Sequence, residues 1–167
     1  MLIQNLHRLS WLIGLTLLQV FILNKIHLFG YATPFLYIYL IVKLDTEMGR
    51  NSQMLWAFGI GLAIDVFADT SGMNASASVL LAFMRPGILQ MFMPRDVLGN
   101  LIPSFDSIGT MAFIKYLSVA TFVHHTMLIF LEYFSLYRVD EMLIRIFACS
   151  VLTIICVLAI EGIKNKQ

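Results

Sequence analysis

Charge is what this sequence has least of. Only 13% of its 167 residues are Asp, Glu, Lys or Arg, and 59% are hydrophobic. A soluble domain carries about 25% charged residues and is about 45–50% apolar. Mean hydropathy is +0.84, and the apolar excess is spread along the whole length. The shortage of charge excludes a water-soluble domain and makes the chain an integral membrane protein. A net charge of +1 gives no electrostatic basis for binding nucleic acid. Cysteine is nearly absent too. Cys149 and Cys156 share one apolar run, and seven residues of helix separate them by about 10.5 Å along the axis, beyond disulfide reach. They read as small buried hydrophobes. Missing as well are a phosphate-binding glycine loop, HExxH, G-x-S-x-G and a dinucleotide fingerprint. Nothing in the residues points to catalysis, to a cofactor or to a metal ion.

What is present is a succession of apolar runs. A spanning helix takes about 20 residues, which leaves room for six or seven spans and no separate soluble domain. The pattern predicts a single all-α membrane domain, 1–167, with spans over 9–23, 28–44, 54–67, 73–84, 107–134 and 142–160. Gln19 and Asn24 interrupt the first span and suit helix–helix hydrogen bonds or headgroup contacts. Thr33-Pro34 supplies a cap and a first helical turn for the second. From Pro34 that helix is short, so it either starts near Leu28 with a kink or lies shallow. Residues 85–109 hold three of the four prolines and mix apolar with charged positions. Short amphipathic pieces in the membrane interface account for this, as does a docking surface for a partner. With the N-terminus inside, Arg8, Lys43, Arg50, Arg85, Arg95, Lys115, Lys164 and Lys166 fall on the inner side, and Lys25, Arg138 and Arg145 on the outer. That asymmetry places both termini in the cytoplasm.

The stretch Trp56–Met84, WAFGIGLAIDVFADTSGMNASASVLLAFM, is expected to be the packing centre. Gly59 and Gly61 on the way out, Gly72 in the turn, and Ala75 and Ala77 on the way back let two helix backbones approach closely. In lipid that contact replaces the hydrophobic driving force. Asp65 is the sharpest polar candidate, because an ionisable group at membrane depth usually faces a bundle interior, a cavity or a partner. The plainer reading is a helix-end carboxylate bonded to backbone or to Thr70. His124 and His125 fall near the middle of the fifth span, about 100° apart around the helix. Both cannot serve one small site, and no further ligands follow at helical spacing. A neutral histidine bonded across to another helix is the expected state; a proton relay would need a carboxylate nearer than Glu132.

The order LQVFILNKIHLFGYATPFLYIYLIVKL, GIGLAIDVFADTSGMNASASVLLAFMRP, VHHTMLIFLEYFS resembles the rod shape-determining MreD family. The resemblance covers about residues 18–135, with Gly61, Leu62, Asp65 and Gly72 as its most characteristic part. It implies a non-catalytic protein of the bacterial cytoplasmic membrane that works in the elongation machinery inserting side-wall peptidoglycan. Its implied partners are MreC and, through it, MreB filaments, the RodA glycosyltransferase and a penicillin-binding transpeptidase. It also implies a six-helix fold similar to the substrate-binding subunits of energy-coupling-factor vitamin transporters. The alternative function is therefore a small-molecule binding subunit of such a transporter. Those subunits carry an alanine–three residues–alanine stripe on the first span, where this chain has WLIGLTLLQVFIL. That departure counts against the alternative.

Overall fold

The computed structural model describes residues 2–26, 32–93, 101–133 and 138–165. All regular elements among them are helical: α1 (Leu2–Phe21), α2 (Ile38–Val42), α3 (Arg50–Ala68), α4 (Met73–Phe92), α5 (Phe105–Ile108), α6 (Thr110–Tyr133) and α7 (Val139–Lys164), with one 3-10 turn at Leu23–Lys25. Three of them, α4, α6 and α7, are long and apolar enough to cross a membrane. The chain is thus an all-α protein with membrane-crossing helices.

Contacts between distant residues define two ends of the bundle. At the hairpin end, the α3–α4 turn lies with Asn24, Thr33, Glu132 and Arg145. At the far end, Arg8 pairs with Asp45, Lys43 with Glu161, and Lys164 sits over the ring of Trp11. The first and last helices therefore meet there. α4 packs against both α3 and α6, and α6 against α7.

The most enclosed part is the segment between α1 and α3. Tyr37, Ile38, Ile41 and Val42 have no exposed surface, and Leu36, Tyr39, Leu40 and Leu44 are buried. The apolar pattern predicts a helix across 28–44, but within the described residues only Ile38–Val42 is α-helical. Pro34 explains the start of the difference: it has no N–H to donate and disfavours helical backbone at Thr33. The rest is explained by side chains of other helices, which take up the main-chain groups of residues 33–36.

Two other boundaries move. α4 does not stop at residue 84 but continues through Pro86 to Phe92. Arg85, expected at the start of an interfacial break, is instead inside a helix and 1% exposed. Its guanidinium donates to Gln53 Oε1 at 3.0 Å and to the carbonyls of Val42, at 3.3 Å, and Leu44. It thereby closes the C-terminal end of α2, where cations are favoured. The fifth predicted span divides at Gly109, whose φ of +86° is open to glycine but strained for other residues. α5 precedes it, started by a capping box between Ser104 and Ser107. Residues 28–31 of the second predicted span, residue 134 of the fifth, residues 94–100 of the interfacial stretch with Arg95, and Lys166 lie outside the described residues.

The α3–α4 contact is made by backbone. A Cβ added to Gly61 would sit 2.5 Å from the Ala75 Cα and 2.7 Å from the Asn74 carbonyl oxygen, both main-chain atoms. Only glycine fits without moving one helix. Gly59 differs, since its added Cβ would lie 3.8 Å from a Leu12 methyl, an ordinary contact. Gly72, with φ of +80°, is the N-cap of α4. Ala75 and Ala77 are buried behind it.

The two glycines should therefore respond differently. Gly61→Ala is expected to destabilise by about 1–3 kcal/mol, the usual range for overpacking, whereas Gly59→Ala should be close to neutral. Melting temperatures of the purified variants in one detergent decide this; equal behaviour would contradict the backbone contact.

Candidate functional site

Asp65 is the hub of the hairpin end. It is 3% exposed, and its carboxylate accepts four hydrogen bonds. Oδ1 receives the Thr70 hydroxyl at 2.5 Å, the Asn74 backbone N–H at 3.1 Å and the Asn74 side-chain amide at 2.9 Å. Oδ2 receives the Ala75 N–H at 2.8 Å. The N-cap of α4 is a glycine with no side chain to offer, so its first turn would present unpaired N–H groups. Asp65 supplies the missing cap from α3, and its charge complements the dipole of α4. The turn between them is closed by the Thr70 N–H on the Asp65 carbonyl at 3.0 Å. Asp69, with φ of +54°, takes the left-handed position ending α3, a conformation Asp tolerates better than most residues.

From Asp65 a chain of hydrogen bonds runs into the bundle. The Asn74 amide nitrogen donates to Asp65, so its oxygen is the acceptor and receives the Tyr37 hydroxyl at 2.8 Å. The Tyr37 oxygen then accepts from His124 Nε2 at 3.0 Å. Every donor points toward the carboxylate: His124, Tyr37, Asn74, Asp65. This order puts the His124 proton on Nε2 and leaves Nδ1 an acceptor, buried and without a partner among the described residues.

His125 belongs to a second, separate set. Its Nδ1 lies 2.8 Å from the Thr121 carbonyl oxygen, which can only accept, so Nδ1 carries the proton. Nε2 accepts from the Thr153 hydroxyl at 3.2 Å. Thr153 Oγ1 in turn accepts the Phe35 N–H at 3.0 Å. The two rings stand 5.5 Å apart with planes at 68°. Among the described residues, no three His, Cys, Asp or Glu side chains gather as metal ligands would.

Phe35 leads to groups that pattern reading undervalued. Gln19, fully buried in α1, accepts the Leu36 N–H on Oε1 at 2.8 Å and donates Nε2 to the Pro34 carbonyl at 2.8 Å. The amide thus pairs with main chain much as a neighbouring strand would. From α7, Thr153 takes the Phe35 N–H, and Cys149 Sγ takes the Thr33 N–H at 3.4 Å. The signal was present as polar side chains inside apolar helices beside a proline. Their partners could not be read from it.

A cavity of about 410 Å³ opens at the same end. Asn24, Thr33, Thr70, Asn74, Glu132 and Arg145 supply its polar lining, with Phe35, Ile64 and Leu128 among the apolar residues. Glu132 and Arg145 pair across α6 and α7 at 2.7 Å. The site therefore combines enclosed volume with polar groups converging from the 3-10 turn after α1 and from α4, α6 and α7, and one of them, Asn74, belongs to the chain ending at Asp65.

Of the residues singled out in the sequence, Gly61, Ala75, Asp65 and His124 are brought to this end or linked to it by hydrogen bonds. His125 faces α7 instead, and Gly59 faces α1. Comparison with known protein families, curated proteins and solved structures finds no match.

Removing the cap should be felt across the turn. Asp65→Ala leaves the N–H groups of Asn74 and Ala75 without their acceptor, and is expected to cost about 1–3 kcal/mol. Thr70→Ala, which removes one donor to Asp65 and one acceptor of the Asn74 amide but leaves both backbone N–H groups capped, should cost less. The melting temperature of each variant in detergent checks the order; an unchanged value for Asp65→Ala would mean that α4 is started by something else.

Proposed function

We propose that this protein is a non-catalytic membrane scaffold of the bacterial elongation machinery, holding a bitopic partner of the MreC kind and, with it, side-wall synthases. The observation that carries the reading is how the interior uses its polar groups. Gln19, Asp65, Arg85 and Thr153 each bond main-chain atoms of a different element. A bundle cross-tied in this way keeps one shape, as a platform must. The resemblance to the MreD family in the 18–135 region supports the same reading.

In this proposal α1, α3 and the buried 32–44 segment join α4, α6 and α7 to make six crossings, the arrangement expected for that family and for energy-coupling-factor substrate-binding subunits. Arg8, Lys43, Arg50, Arg85, Lys115 and Lys164 lie toward the far end, and Lys25, Arg138 and Arg145 toward the hairpin end. The asymmetry favours a cytoplasmic far end, with both termini inside. The cavity then opens outward.

That outward cavity favours a second reading, a small-molecule binding subunit of a transporter. Its size and mixed lining suit a ligand. The missing alanine–three residues–alanine stripe on α1 speaks against it, since Gly14 is followed one turn later by Leu18.

Affinity purification from bacterial membranes separates the two. Co-purification of an MreC-type protein with wall synthases is the expected result. Recovery of an ATPase pair together with a bound vitamin would replace the scaffold by the transporter subunit.

A further inference from the structure

We infer that the far end holds a phosphate-binding site that takes the headgroup of an anionic lipid. A cavity of about 270 Å³ opens there, between the start of α3 and the end of α4. Thr46, Arg50, Gln53, Arg85 and Gln90 are its polar lining. It contains two arginines and, among the described residues, no carboxylate.

That imbalance is unusual for this molecule. Arg8, Lys43, Arg138 and Arg145 each face an Asp or Glu within 4 Å. Arg85 is the most buried cation, yet its partners are a neutral amide and two carbonyls. Its Nε has no hydrogen-bond partner among the described residues. A buried cation without an anion is costly, and carbonyl dipoles compensate it only in part.

Arg50 sits above it at the surface, its guanidinium 4.9 Å from the centre of the Phe83 ring. It is the first residue of α3, whose N-cap is Gly49 and whose first turn has neither a side-chain cap nor an acidic residue. The positive end of that helix adds to the field of the two arginines. Planar guanidinium and amide donors on an exposed rim, over a buried uncompensated charge, suit a phosphate oxygen. The cavity lies at an end of the helices, level with headgroups rather than acyl chains, and a basic pocket between helices is a recognised form of headgroup site. A net anionic lipid satisfies the charge; a zwitterionic one does not.

The test uses the full-length protein purified in a neutral detergent. It is titrated with phosphatidylglycerol, with phosphatidylcholine and with inorganic phosphate. Melting temperature and lipid retained per protein, by native mass spectrometry, are read in each case. Phosphatidylglycerol should raise the melting temperature and be retained, and the other two should do neither. Arg50→Gln, an exposed change that leaves the Arg85 contacts in place, should weaken phosphatidylglycerol binding roughly tenfold, as loss of a charge-assisted bond implies. Arg138→Gln, an equal loss of charge at the other end, should leave it unchanged. Wild-type binding by Arg50→Gln, or equal weakening by both variants, overturns the site. Equal stabilisation by inorganic phosphate overturns the lipid as its ligand.

Discussion

Main-chain N–H and C=O groups inside an apolar bundle must be paired, and helices do this within themselves. The stretch before α2 cannot. Residues 33–36 are neither helical nor paired with a strand, yet Thr33 and Leu36 are almost wholly buried. Their polar groups are taken up by Gln19 from α1 and by Cys149 and Thr153 from α7. The packing of the enclosed centre depends on these side-chain-to-backbone bonds. They also tie the first and last helices to the same few residues, so the chain is closed around its second segment.

The same solution recurs at helix ends. Asp65 of α3 caps the start of α4, and Arg85 of α4 closes the end of α2. In each case the group that completes one element belongs to another, so neither is finished until the two have packed. Leaving such a group unpaired costs about 1–3 kcal/mol, enough for each bond to favour one arrangement. At the far end, Glu161 plays a similar part for the half-buried Lys43, at 2.7 Å, while also accepting the Tyr39 hydroxyl at 2.9 Å. An interior so committed suits a body that others hold better than one that rearranges. The two cavities with polar linings lie at the ends, one with a paired acid and base, the other with arginines alone.

Much of this was legible in the sequence, but unevenly. The apolar runs mark the long helices, because only helices and closed barrels satisfy main chain in lipid. Small residues mark the α3–α4 contact, and Gly61 and Gly72 are read there because space and positive φ both call for a missing side chain. The buried 32–37 stretch was not legible, since its residues are as apolar as a helix and Pro34 alone announces the break. Nor was Arg85. A charged residue beside proline reads as the edge of a loop, and only its carbonyl acceptors on α2 explain how it is buried. His124 and His125 could be placed on different faces by helical geometry, but Tyr37 and Thr153 come from elements far away in the chain. Side chains that complete another element's backbone leave no local pattern.

Hydrogen–deuterium exchange of the main-chain amides of Thr33, Phe35 and Leu36 tests this dependence most directly. In wild-type protein in lipid nanodiscs, a peptide spanning these residues should be protected nearly as well as α3 and α4. In Gln19→Leu, protection of Leu36 should fall while α3 and α4 keep theirs. Rapid exchange in the wild type, or protection unchanged by the substitution, would contradict the account.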